Sequence, residues 1–140
     1  MVIFVCISTV VALVAIDPYE SERRRVRYDA ESLASWLNRR MSISAREESE
    51  FKIYITYDED VHYRIHLKWL SGINGVTSEQ YEPRYAVMSY DGADECTFSG
   101  VWYTLTPAAT FVLRSEKINE IRFDVTVSGT GYVSVTEVDE

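Results

Sequence analysis

Several things are scarce or missing in this chain, and each absence closes a class of function. Cysteine occurs only as Cys6 and Cys96. Cys6 lies in an uncharged apolar stretch and Cys96 in the polar body. They cannot pair if the first sits in a bilayer and the second outside it, so no disulfide framework is implied. Low-complexity tracts are absent. So are the signatures of covalent and phosphate chemistry: there is no Gly-x-Ser-x-Gly, no cysteine set beside a histidine motif and no phosphate loop. No enzyme, no cofactor and no small-molecule substrate is expected. Positive charge is short as well. The net charge is −8, and from Phe51 to Glu140 seven basic residues face fourteen acids. Such a body repels phosphate backbones, which argues against nucleic acid as a partner.

What is present begins with "MVIFVCISTVVALVAI", sixteen residues without a charge. As a helix it would be about 24 Å long, while a bilayer core asks for roughly 20 residues. A buried soluble helix and a secretory signal peptide are alternatives, but a signal peptide needs a basic flank before its apolar run. The favoured reading is a membrane helix whose first residues lie upstream of Met1. By the positive-inside rule, Arg23, Arg24, Arg25 and Arg27 hold the C-terminal side in the cytoplasm, unless a basic leader upstream reverses it.

An amphipathic helix follows with no linker. Apolar residues recur at Val26, Ala30, Leu33, Ala34, Leu37, Met41 and Ala45, the period of a helical stripe. Arg24, Arg27, Asp29, Glu31, Arg39 and Arg46 fall on the wetter faces. Neither glycine nor proline interrupts residues 19–49. Pro18, at the junction, is tolerable as a kink in a membrane helix. Residues 2–48 therefore read as one kinked rod about 70 Å long.

Beyond it the texture changes to period two. "FKIYITY" and "HYRIHLKWL" alternate as strands, with Asp58–Asp60 as the turn between them. Further strands are expected at Tyr85–Tyr90, Phe98–Leu105, Thr110–Arg114, Ile121–Ser128 and Gly131–Glu137, with a long loop from Ser71 to Pro83. The fold class is α+β: a long kinked N-terminal helix packed on antiparallel sheet. Its parts are an apolar segment over residues 1–17, an amphipathic helix over 18–50 and a β head over 51–140.

"VVALVAIDPYESERRR", "LASWLNRRMSISAREESEFKIYI" and "INEIRFDVTVSGTGYVSVTE" together resemble the type IV pilins and type II secretion pseudopilins, most nearly the GspH/FimT type of minor pseudopilin. Leu33, Leu37, Arg40 and Ala45 stand where that family leads its helix into the first strand. The family's cleavage motif, a glycine with a following glutamate, does not precede Val2, and no glutamate occurs before Glu20; a start further upstream accounts for both. The resemblance implies a structural subunit anchored by one pass in the bacterial inner membrane, head outside the cytoplasm. Its partners would be other pilins or pseudopilins met through the N-terminal helix. Glu20, Glu22, Arg23, Arg24 and Arg25 are candidates for charge pairs between subunits. Two competing classes are an anchored extracytoplasmic ligand-binding β domain and a minor pilin for DNA uptake. The acidic head opposes the second.

Weaker site candidates remain. Asp91, Asp94 and Glu95 could hold calcium but lack a regular calcium-loop spacing; a solvated acidic loop is the default. His62 and His66 read as surface strand residues rather than metal ligands. Trp36, Trp69 and Trp102 read as core under the helix rather than as a binding face.

Overall fold

The computed structural model describes residues 17–57 and 63–139. The first helix, α1, runs Pro18–Glu47. It starts where the local chemistry favours a start. Asp17 is extended and its carboxylate accepts the Tyr19 N–H at 3.0 Å, a helix N-cap. Pro18 takes the first helical position, where its missing N–H costs nothing. The helix expected before it lies in residues 1–16, outside the described residues; the expected kink is corrected at Pro18, which opens this helix after an extended Asp17 instead of bending a continuous rod. At the far end Glu48 adopts the left-handed conformation and the Ser49 N–H closes on the Ser44 carbonyl at 3.1 Å.

Among the described residues nine strands form two antiparallel sheets. The first sheet has the order β3-β2-β1-β5-β6, with β1 Phe51–Tyr57, β2 Tyr63–Ile73, β3 Val76–Tyr81, β5 Glu95–Ser99 and β6 Thr104–Thr106. The second has the order β4-β7-β8-β9, with β4 Val87–Asp91, β7 Ala109–Arg114, β8 Arg122–Val127 and β9 Val133–Val138. Helix α1 lies chiefly on β8 and β9, with β5 and β7 at its flank.

The stripe packs as its period demands. Val26, Ala30, Leu33, Leu37 and Met41 are buried, and Trp36 joins them. Ala45 is only half-buried; Ser44 takes the core side of that turn. Gly100 is the reason: a Cβ there would land on the Ser44 carbonyl, so the turn after β5 presses backbone to backbone against the helix end. Under the stripe, Trp69, Phe51 and Phe98 face one another across three adjacent strands, in register, with ring centroids 5.2 and 5.1 Å apart. Phe111 and Phe123 complete the core from the second sheet.

Three expectations are corrected here. Most of the expected loop from Ser71 to Pro83 is a hairpin: β2 continues to Ile73 and β3 returns from Val76. Asn74 and Gly75, at φ 48° and 81°, make the tight connection, the Asn-Gly signal of a two-residue hairpin turn. The expected strand Phe98–Leu105 is two strands, β5 and β6, split by the turn that carries Gly100 and a left-handed Tyr103. Trp36 and Trp69 are core, but Trp102 is 79% exposed.

Candidate functional site: the charged faces of the helix

The side chains at the start of α1 are where contacts between subunits were expected, and the fold uses several of them itself. Arg23 holds Glu137 of β9 with two hydrogen bonds, Nε to Oε1 at 2.5 Å and Nη2 to Oε2 at 2.6 Å. Arg27 approaches the same carboxylate at 3.7 Å, and Glu20 meets Arg23 at 3.1 Å. The Arg23 hydrogen bonds hold the Glu137 carboxyl below the usual glutamate range, against an opposing effect of desolvation. A bidentate guanidinium on a carboxylate is a directional contact. It ties the first turns of α1 to the last strand, 114 residues away in sequence.

Glu22 is buried. Its carboxylate accepts from the Ser115 hydroxyl at 2.7 Å, and the Ser115 Oγ in turn accepts from the N–H groups of Lys117 and Ile118. Arg25 lies 3.6 Å from Glu22 and rests over the Tyr85 ring, as does Arg84. Among the described residues Arg24 alone of the arginines in this cluster is exposed with no ion pair. The structure thus does not gather Glu20, Glu22 and Arg23–Arg25 into one outward-facing charge strip.

Asp29 departs most from its expected place. It was assigned to a wet face, yet it is 1% exposed. Its carboxylate accepts three backbone N–H groups, from Arg84 at 3.1 Å, Tyr85 at 2.6 Å and Ala86 at 2.7 Å. Its own carbonyl accepts the Tyr81 hydroxyl at 3.1 Å; burial pushes that phenol up to about 12. Asp29 therefore holds the crossing segment that leads from β3 in one sheet to β4 in the other. A buried carboxylate is tolerated only when so satisfied. The signal was available in the sequence: Asp29 falls on the apolar stripe, three residues after Val26 and one before Ala30.

Further along, Arg40 pairs with Glu79 at 2.8 Å and lies over Trp36, while the Trp69 indole N–H donates to the same Glu79 at 2.8 Å. This cluster fastens the β2–β3 hairpin to the helix. Of the calcium candidates, Asp91 ends β4, Asp94 sits in the bend, and Glu95 opens β5 with its carboxylate 2.6 Å from Lys52. Among the described residues, no group of three or more His, Cys, Asp or Glu is placed to hold a metal ion. His66 bonds Thr56 at 2.6 Å; His62 lies outside the described residues. Cys96 is a buried thiol that burial pushes up to about 11, a packing residue rather than a nucleophile. Among the described residues no helix is long and apolar enough to cross a membrane, and the apolar stretch expected to do so lies outside them.

One long helix laid on antiparallel sheet, and closed by a hairpin that returns to its start, is the pilin fold. Two crystal structures of the type IV minor pilin FimU of Pseudomonas aeruginosa are similar to this chain. One superposes with a TM-score of 0.61 at 18% identity, covering 83% of this chain and 91% of that one. The other gives 0.57 at 16% identity, covering 79% and 91%. No family model matches the chain, and neither does any curated protein.

Proposed function

We propose that this chain is a minor subunit of a filament of the type IV pilus or type II secretion kind, assembled through its N-terminal helix. One observation carries the reading, the likeness of the fold to that of a type IV minor pilin; a sixteen-residue uncharged stretch that ends one residue before the helix cap completes it in sequence. That stretch serves as membrane anchor before assembly and as packing surface within the filament. The head stands outside the cytoplasm and is not proposed to catalyse a reaction. The inner membrane and other pilins are the partners; nucleic acid and small ligands are not.

The test is disulfide crosslinking in cells that express the partner pilins, with Cys6 and Cys96 replaced by serine and single cysteines placed along the apolar stretch and in partner helices. A ladder of crosslinks at helical spacing is expected. Crosslinks to no pilin-like protein, with the chain present in membranes, would overturn the reading in favour of an anchored binding domain.

A further inference from the structure

The edge of the second sheet ends in a slot beside the helix. Val133, Val135 and Glu137 of β9 pair directly with Val127, Val125 and Phe123 of β8. These three partners are buried in the core. Cross-strand partners share a face, so the three β9 side chains point to the helix side of the sheet. At Glu137 the seam between β9 and α1 is shut by Arg23 and Arg27. Toward the other pole it opens into a groove of about 720 Å³, lined by Val135 and by Ala34, Ser35, Ser42 and Ile43 of the helix. Val135, on the inner face of a core sheet, is left 37% exposed.

The outer edge of β9 is equally open. Among the described residues no strand lies beyond it, so alternate N–H and C=O groups of β9 face away from β8. Exposed edges are normally guarded by lysine, proline, bulges or brevity. β9 reads Val-Ser-Val-Thr-Glu-Val, keeps an unbroken register over six pairs, and its one charge is turned inward onto Arg23. The other edges differ: β6 has three residues, β3 borders a register shift, and β4 lies against β2.

Charge selects the occupant. Of the cations along the groove, Arg40 is taken by Glu79, while Arg39 is exposed with no ion pair among the described residues, and Arg46 meets only its exposed neighbour Glu47 at 3.4 Å. One carboxylate, Glu31, shares the groove with these three arginines, so the lining keeps a net positive charge on a protein of net charge −8. At the open pole stand two exposed aromatics on turns whose backbones meet: Tyr132, 71% exposed, just before β9, and Trp102. The meeting is fixed by the Leu105 N–H on the Gly129 carbonyl at 3.1 Å and by the packing of Tyr103 on Gly131.

We infer that β9 and this groove accept an extended, acidic segment of a partner protein as a fifth strand of the second sheet. Its main chain completes the β9 ladder, its inward apolar side chains fill the space over Val135 and Ile43, and its carboxylates meet Arg39 and Arg46. This is strand addition with pockets for alternate residues. It goes beyond the filament reading and does not depend on it.

The experiment uses the full chain in detergent micelles and three capped, fluorescein-labelled octapeptides. One alternates valine with glutamate, one alternates valine with lysine, and one carries proline in place of two valines of the first. Anisotropy should show binding of the valine–glutamate peptide, about tenfold weaker binding of the lysine peptide as expected for opposed charge, and none of the proline peptide. Amide exchange across Val133–Val138 should slow when the first peptide is bound. Val135→Glu, which puts a like charge in the groove, should abolish binding of the valine–glutamate peptide with the melting temperature unchanged. If that variant melts early, Arg39→Glu, on the exposed helix face, decides instead: it should narrow or reverse the preference for the acidic peptide. No binding at millimolar peptide, binding with β9 amides unprotected, or a charge preference unmoved by Arg39→Glu would overturn the inference.

Discussion

At the scale of single residues, two carboxylates carry much of the specific geometry. Asp29, itself 1% exposed, satisfies three N–H groups. Asp29→Ala leaves those donors orphaned, each at a penalty of about 1–3 kcal/mol. A loss of about 3 kcal/mol or more is expected, read as a fall in the urea midpoint of the chain. Asp29→Asn should be milder, because the amide oxygen still accepts. Glu137 supplies a pH signature. Its folded carboxyl titrates below the ordinary glutamate value of about 4.3. The folded chain therefore binds fewer protons there than the unfolded chain, and stability rises with pH through that window. The contribution is fully present above the ordinary value and is lost as pH falls through the folded one. Urea melts of wild type and Glu137→Gln should differ near neutrality and converge as the pH falls below the ordinary glutamate range.

Elements show which parts of the fold the chain announces. The helix was legible because its apolar period is strong, and strands β1, β2, β7, β8 and β9 because alternation and turns bound them. β3 was hidden: "VTSEQY" has little apolar content and every one of its residues is at least partly exposed, so period two has nothing to display. Its turn, Asn74-Gly75, was visible but was absorbed into a stretch of turn formers. The Arg23–Glu137 contact was not legible at all, since nothing local links residues 114 apart. Three substitutions test the packing of these elements. Leu37→Ala removes a fully buried side chain from the stripe and should cost about 2–5 kcal/mol. Gly100→Ala must push the β5–β6 turn off the Ser44 backbone and should cost about 3 kcal/mol, the upper end of overpacking. Gly75→Ala meets no neighbouring atom and suffers only from its φ of 81°, so about 1 kcal/mol is expected. Thermal melts that rank Gly75→Ala as worse than Gly100→Ala would contradict the close approach of turn and helix.

At the scale of the whole molecule, the charges near Pro18 divide into two kinds of work. Arg23 and Arg27 face inward on Glu137, Glu22 on Ser115, and Arg25 lies between Glu22 and Tyr85. These side chains fasten the helix to the head, so the four positive charges after the apolar stretch are largely neutralised within the fold. Arg24 is exposed with no ion pair among the described residues, and on the proposed filament reading it is the arginine left for a neighbouring subunit. The two kinds of charge should separate under reversal. Arg23→Glu sets two carboxylates against each other at the β9 clamp, and should lower the melting temperature of the chain. Arg24→Glu should leave the melt unchanged, since exposed pairs contribute only about 0.2–1 kcal/mol, and should alter crosslinking to partner helices without loss of folded protein. Equal effects of the two reversals on stability, or an Arg24→Glu chain that crosslinks as wild type does, would return these arginines to a single role in holding the head to its helix.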